Sequence, residues 1–318
     1  MRRHGEIALT RTAPGGGDEA LQLRGVDVVV TSMASFASAY VLLIGHWAPR
    51  ANIAAAVFAV IAAGPPIFRW LARRYPHRGI FDFIASVWLM PSVIFAHGSL
   101  GPLVDAVNPR LADGYLARAD LKLFGVHPSV VLGELVGPVV TELLMICYYS
   151  YFIGPFVLAM VLFFRGRRAE YEEYALALAL FFSATFIFYV AVPAIGPRYY
   201  LAGVFDHPLQ GLWLTPLLDG LMRTTSFARD CFPSGHTGVT LIMLVFAWRY
   251  RRPFFWVMLP VGMGLVLATL VGRFHYGIDL ICAVPVVVAT VRVAAAAMRR
   301  GEVVSERMLR AMRRLARV

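Results

Sequence analysis

Two short stretches near the C-terminal end hold the residue types that can do chemistry together. The first is Cys231-Phe232-Pro233-Ser234-Gly235-His236-Thr237, and the second is Gly272-Arg273-Phe274-His275-Tyr276-Gly277-Ile278-Asp279. His275 and Asp279 are four residues apart, which on a helix puts them on one face. A carboxylate there orients an imidazole and stabilises its positive charge, as in an activated nucleophile with its orienting group. His236 follows Pro-Ser-Gly at an expected helix start. Pro233 suits the first helical position, and free backbone N–H groups there face an incoming anion. Two histidines, an aspartate, nearby arginines and an anion-ready helix start point to phosphoryl transfer that needs no metal and no cofactor.

The elements that must position these residues are membrane helices. The chain has 318 residues, 59% of them hydrophobic, with mean hydropathy +0.66. This excludes an ordinary soluble domain. The net charge is +11, yet Lys122 is the single lysine. The arginines cluster between apolar runs, so a membrane explains them better than nucleic acid does. Cys147 and Cys282 lie inside apolar runs and Cys231 stands beside the first motif. That pattern makes neither a disulfide framework nor a metal spacing.

Eight runs are long enough to cross a bilayer, at about residues 26–45, 51–70, 79–97, 137–164, 173–195, 234–250, 254–272 and 276–298. The expected fold is therefore an all-α polytopic bundle. Residues 1–25 are expected to form a disordered cytoplasmic tail, 26–78 two extra N-terminal helices, 79–298 a six-helix catalytic core and 299–318 a basic amphipathic cytoplasmic tail. The first run contains Ala37-Ser38-Ala39, a possible signal-peptidase site, but continues through Val41-Leu42-Leu43-Ile44 and reads as a retained span.

Arginine sets the orientation. Arg73, Arg74, Arg165, Arg167, Arg168, Arg249, Arg251, Arg252 and the two arginine-bearing ends fall on one side of an eight-span arrangement. That side is expected to be the cytoplasm, so both motifs face outward. Residues 115–124 in the long outer loop 98–136 read as an interfacial helix. Glu142 stands out near the outer end of the fourth run, ahead of Tyr148, Tyr149 and Tyr151. It suits either an acceptor or head-group pocket or a structural lock on an outer arginine. Asp82 reads as a helix-end residue far from the motifs.

P-S-G-H followed about forty residues later by H-x-x-x-D resembles the type-2 phosphatidic acid phosphatase superfamily. The spelling R-F-H-Y-x-I-D is most similar to its inositol phosphorylceramide synthase-like and sphingomyelin synthase-like branch. The resemblance implies a six-helix core, a phosphohistidine on His275 and a general acid at His236, with Asp279 orienting His275. Arg198 matches the upstream phosphate-binding motif in part: Ala191 stands at its Lys position, and Pro197 precedes the Arg rather than following it. Ala268 and Thr269 replace the usual S-R ahead of the second histidine, and the arginine lies at Arg273. Arg198, Arg273, Ser234 and Gly235 are the expected phosphate-binding residues.

The expected function is transfer of a phosphoryl or phospho-head group from a phospholipid or lipid phosphate to a polyol or lipid alcohol. The alternatives are a lipid phosphate phosphatase with water as acceptor and a non-catalytic lipid-binding membrane protein. A transporter would show inverted repeats and broken midplane helices, and the sequence has neither signature. The orientation has a direct test. After Cys231 is replaced, Phe205→Cys is expected to react with a membrane-impermeant thiol reagent in intact cells, and Ser305→Cys is expected not to react. Labelling at position 305 alone would put the motifs on the cytoplasmic side.

Overall fold

The computed structural model describes residues 23–43, 47–48, 50–217, 220 and 229–315, with side chains of the last helix described to Gly301. The expected N-terminal tail up to residue 22 and the side chains of the basic C-terminal tail lie outside the described residues. Among the described residues every regular element is helical. They are α1 (Gly25–Leu43), α2 (Ala51–Arg74), α3 (Ile80–Val87), α4 (Leu89–Val107), α5 (Asp113–Phe124), α6 (Pro128–Leu135), α7 (Pro138–Tyr149), α8 (Gly154–Phe164), α9 (Arg168–Ala191), α10 (Pro197–Tyr200), α11 (Gly235–Tyr250), α12 (Arg252–Val271) and α13 (Gly277–Leu315).

Five of these, α1, α2, α9, α12 and α13 up to Gly301, are long and apolar enough to cross a membrane. Two bent pairs, Ile80–Val87 with Leu89–Gly101 and Pro138–Phe152 with Gly154–Phe164, each turn by 41° and raise the number to seven if each is one span. The expected eighth span is α11. It has 16 residues, ~24 Å at 1.5 Å per residue, which is short of a ~30 Å hydrocarbon core. Its first turn belongs to the histidine motif rather than to the lipid.

The centre of the bundle is α9. Apolar residues surround it rather than forming one stripe, so it is stable only when packed on all sides. It touches α1, α4, α8, α11 and α13, and Tyr174, Ala177 and Phe181 on it are fully buried. The N-terminal end of α9 is clamped by charge. Arg69 on α2 binds Asp27 at 2.8 Å and Asp82 at 2.6 Å, while Arg24 binds Asp82 and Glu172, each at 3.0 Å. Arg168 approaches Asp82 at 3.4 Å. Shared carboxylates and hydrogen bonds make such partly buried charges tolerable, since lone ones would be strongly destabilising. Asp82 is thus a helix-end residue, as read from the sequence, and it joins α1, α2, α3 and α9 at the end of the bundle away from the two motifs.

The α3–α4 joint rests on a close approach. Trp88 donates its indole N–H to the Ile61 carbonyl at 3.1 Å. Its ring lies so near Gly64 that a Cβ there would meet Cε2 at 2.0 Å. Gly64→Ala is therefore expected to cost about 1–3 kcal/mol through overpacking, read as a lower melting temperature in detergent. An unchanged melting temperature would mean that α2 and the joint do not pack in this way.

Candidate active site

The first motif is a strap held from both sides before its helix begins. Arg229 pairs with Asp105 of α4, and Asp230 accepts from His97 of α4 at 2.9 Å. Ser234 then caps α11, its hydroxyl accepting the Thr237 N–H at 3.2 Å. The helix starts at Gly235, so His236 lies in its first turn. Pro233 precedes the cap instead of taking the first helical position expected for it. The Ser234 N–H, expected to face a phosphate, donates to the Asp279 carbonyl at 3.2 Å. It joins the two motifs and is not available to an anion.

The second motif differs from the expected helical face. α12 ends at Val271 and α13 begins at Gly277, so His275 lies in the turn between them. Arg273 adopts φ +62°, a left-handed conformation uncommon outside glycine. The turn is held because Arg273 O accepts the Arg198 N–H at 2.8 Å, while Phe274 and His275 donate to Thr269 O at 2.9 and 3.1 Å. Gly196, φ +83°, permits this docking, since a Cβ there would meet Phe274 O at 2.7 Å. Asp279 reaches back from the first turn of α13 to accept the Tyr276 N–H at 2.9 Å, half of a capping box. This cap, rather than helical periodicity, brings the aspartate to the histidine.

The histidine geometry follows. His275 Nδ1 lies 2.8 Å from the Cys231 carbonyl and 3.4 Å from Asp279 Oδ2. The carbonyl can only accept, so the network assigns the proton to Nδ1 and leaves the Nε2 lone pair free. Nε2 is 3.5 Å from His236 Nδ1. His236 is packed by Tyr148 and Tyr151, at ring-centroid distances of 4.6 and 4.4 Å. Both tyrosines lie where the α7–α8 span bends. Tyr148 also stacks on Phe274 at 4.7 Å. These two tyrosines pack the imidazole.

Cys231 completes the cluster. Its thiol donates to Asp279 Oδ2 at 2.9 Å. Burial, then the neighbouring Asp279 charge, pushes this thiol well above its usual range. Cys231 Sγ, His275 Nδ1 and an Asp279 oxygen lie within 4.8 Å of one another, a set that could hold a metal ion. The spacing in the chain conceals it, because Cys231 lies 44 residues before His275. Here the donors are engaged with one another: the thiol with Asp279, and Nδ1 with the Cys231 carbonyl.

The arginines lie beside this cluster. Arg198 and Arg273 are adjacent through their backbone bond, and the Arg198 guanidinium lies 5.5 Å from the Phe274 ring centroid. Arg273 is 6% exposed, and its Nε and Nη2 have no hydrogen-bond partner among the described residues. Its guanidinium sits 3.9 Å from the Phe205 ring centroid. Burial, and to a lesser degree Arg198, lowers its pKa, against the opposing pull of Glu134. A buried cation with unpaired donors suits a phosphate oxygen.

Glu142 is placed differently. Its carboxylate accepts from the Leu212, Leu214 and Thr215 N–H groups at 3.0, 2.7 and 3.0 Å, and from the Thr215 hydroxyl at 2.5 Å. It is a lock, but on loop backbone rather than on an outer arginine, and its acceptor capacity is taken up there.

Four acidic or basic residues important to this geometry went unread in the sequence. Asp113 accepts from Ile195 N, Gly196 N and the Tyr276 hydroxyl at 2.9, 2.8 and 2.9 Å. Asp120 accepts from Gly277 N and Ile278 N at 2.9 and 2.8 Å, capping α13. The buried face of α5, expected to lie on the lipid interface, therefore docks on the site through two carboxylates. His97 and Asp230 form the third contact. Burial raises the Asp230 carboxyl, but the His97 hydrogen bond and the charges of His97, His275 and His236 outweigh it and hold it below its usual range. The available signal was an i, i+7 aspartate pair on an otherwise apolar face.

The sequence model of the PAP2 superfamily matches residues 115–293, more than half of the chain. A PA-phosphatase related-family protein of Dictyostelium discoideum is 20% identical over 186 residues, covering 51% of this chain and 34% of that protein. This chain thus aligns with about a third of that relative's length. No solved structure matches it. The matched residues run from Tyr115 in α5 to Val293 in the first half of α13 and take in both histidine motifs.

The state of Cys231 can be checked directly. A raised thiol pKa leaves little thiolate, the reactive form, at neutral pH. A membrane-permeant maleimide is therefore expected to leave native Cys231 unlabelled, as read by peptide mass spectrometry, and to label it after denaturation. Rapid labelling of the native protein would overturn the thiol–carboxylate contact.

Proposed function

Because the chain belongs to the PAP2 superfamily, we propose that its paired histidines move a phosphoryl or phospho-head group from a lipid donor to an alcohol through a phosphohistidine. The observation that carries this reading is His275. Its Nδ1–H is engaged by the Cys231 carbonyl and Asp279, and its free Nε2 faces His236 at 3.5 Å.

In the proposed first step the Nε2 lone pair attacks phosphorus and the bond from phosphorus to the leaving oxygen breaks. Protonated His236 gives its proton to that oxygen. Asp279 stabilises the positive charge that develops on the phosphorylated His275. Arg273, Arg198 and the Gly235 N–H would hold the non-bridging oxygens where charge builds up. In the second step His236 takes the proton of the acceptor hydroxyl, the acceptor oxygen attacks phosphorus, and the N–P bond breaks to restore His275.

Enclosure supports an alcohol acceptor over water. His275 is buried, and the Tyr148 and Tyr151 rings pack against His236. The acceptor role considered for Glu142 is not retained in this proposal, since four donors already occupy its oxygens. The second reading, hydrolysis of a lipid phosphate, is favoured by the similarity to the Dictyostelium PA-phosphatase related-family protein. The arginine asymmetry supports an active site on the extracytoplasmic face.

Purified protein given labelled lipid phosphates and phospholipids with polyol and lipid alcohols is expected to form new phosphodiester or phosphomonoester lipids. Release of inorganic phosphate alone under every acceptor would replace the transferase reading with the phosphatase one. An acid-labile, base-stable adduct is expected on His275, and vanadate is expected to inhibit. His275→Ala and His236→Ala are each expected to lose roughly 10³-fold or more in rate, with the double variant little worse, because such groups act as a unit. Activity is expected to persist in excess EDTA. Loss restored by one divalent ion would overturn the phosphohistidine mechanism.

A further inference from the structure

A cavity of about 350 Å³ lies among α1, α2, α4 and α9. It runs along the helices, from Val30 to Val41 on α1, from Leu89 to Val107 on α4 and from Ala179 to Ala191 on α9. At 1.5 Å per residue these stretches are ~17–27 Å long, a length comparable to the ~30 Å hydrocarbon core or longer than one leaflet of it. The lining is apolar apart from Tyr40, Ser92 and Ser183.

The shape limits the occupant. Spread over ~18 Å, the volume makes a groove about 8 Å wide, narrower than the ~10–12 Å of a helix with its side chains. A transmembrane segment of another protein or of a second copy does not fit. One extended hydrocarbon chain does.

The cavity shares its walls with the histidine site. His97 stands on α4 between lining residues Ala96 and Leu100 and binds Asp230, the residue before Cys231, at 2.9 Å. Phe186 lines the cavity, 6.5 Å from the His97 ring and 6.2 Å from the Tyr189 ring between centroids. The Tyr189 hydroxyl lies against Gly235, where a Cβ would meet it at 2.9 Å. Of the four helices, only α9 falls within residues 115–293 that match the PAP2 superfamily. The other three precede the matched residues and turn one face of α9 into a slot that is open along one side.

We infer that α1, α2 and α4 form a binding site for one hydrocarbon tail of the lipid substrate, placed beside the histidines and selective for a long tail. This rests on the proposed action on a lipid phosphate or phospholipid. The slot removes the tail from the bilayer and keeps it parallel to α9. The phosphate end is then left at the end of the bundle where α9 meets the strap of the first motif.

The test uses the full chain in detergent–lipid micelles with two fill-in variants, Ala37→Phe and Ser183→Phe, so that loss of folding in one leaves the other. Lipid phosphates with a palmitoyl-length and a butyl-length tail are compared. The expected result is a rise in KM for the long tail of about tenfold or more, the loss of a few buried methylenes, with kcat/KM for the short tail unchanged. Equal losses for both tails, or no change for the long one, would overturn the inference. A second arm does not depend on turnover. A palmitoyl-length lipid phosphate bearing a diazirine near the tail end is expected to label α1, α4 or α9 peptides in the wild type, and less in the variants. Labelling elsewhere would overturn the site. Equal labelling by the matching diacylglycerol probe, which lacks the phosphate, would make it a general lipid slot and overturn the substrate assignment. Absence of turnover with every lipid phosphate would count against the proposed function, while the labelling arm still decides the cavity.

Discussion

The hydrogen bond from His275 Nδ1 to the Cys231 carbonyl, 2.8 Å long, is the contact on which the site depends. It does three things at once. It fixes the imidazole tautomer, leaving Nε2 with a lone pair. It joins a strap and a turn separated by more than forty residues. It also lets Asp279 sit slightly farther away, at 3.4 Å, and respond to charge on the ring while its carboxylate organises the turn. Asp279 engages the Tyr276 N–H and the Cys231 thiol through Oδ2, and its own carbonyl accepts from Ser234. One aspartate thus orients His275, caps a helix and holds the first motif in place.

Around this centre the protein uses carboxylates to satisfy backbone N–H groups where helices end. Asp113 holds the 195–196 corner, Asp120 caps α13 and Glu142 gathers the 212–215 segment. Helix termini leave donors unsatisfied, and a site enclosed by helices and loops cannot rely on water to pair them. Ionised acceptors make the stronger hydrogen bonds. The backbone around the histidines is thereby held in one conformation.

The two ends of α9 show different physics. At its N-terminal end arginines and carboxylates from α1, α2, α3 and α9 pair with one another. Toward its C-terminal end aromatic rings relate the helix to His97 and to Gly235. The polar network secures the N-terminal helices against the family body. The apolar end leaves a slot between them, next to the histidine cluster rather than remote from it.

The sequence by itself determined the all-helical membrane class, the order and extent of the apolar segments, and the pair of histidine motifs. These are local properties: hydropathy is summed along a run, and His, Asp and Pro-Ser-Gly are recognisable by type and spacing. It also marked Arg273 and Arg198, which the tertiary structure placed side by side through a backbone bond. Only the tertiary structure decided how His275 and Asp279 meet, because the meeting depends on where α12 ends and α13 is capped, not on a shared helical face. The role of α5 was likewise beyond local reading. Asp113 and Asp120 look like solvent-facing charges on an amphipathic helix until the N–H groups of distant corners arrive to meet them. Cys231, His97 and Asp230 acquire their contacts across 48, 133 and 133 residues of chain, respectively. Contacts that distant leave no period in the sequence, because chain folding rather than spacing brings the partners together.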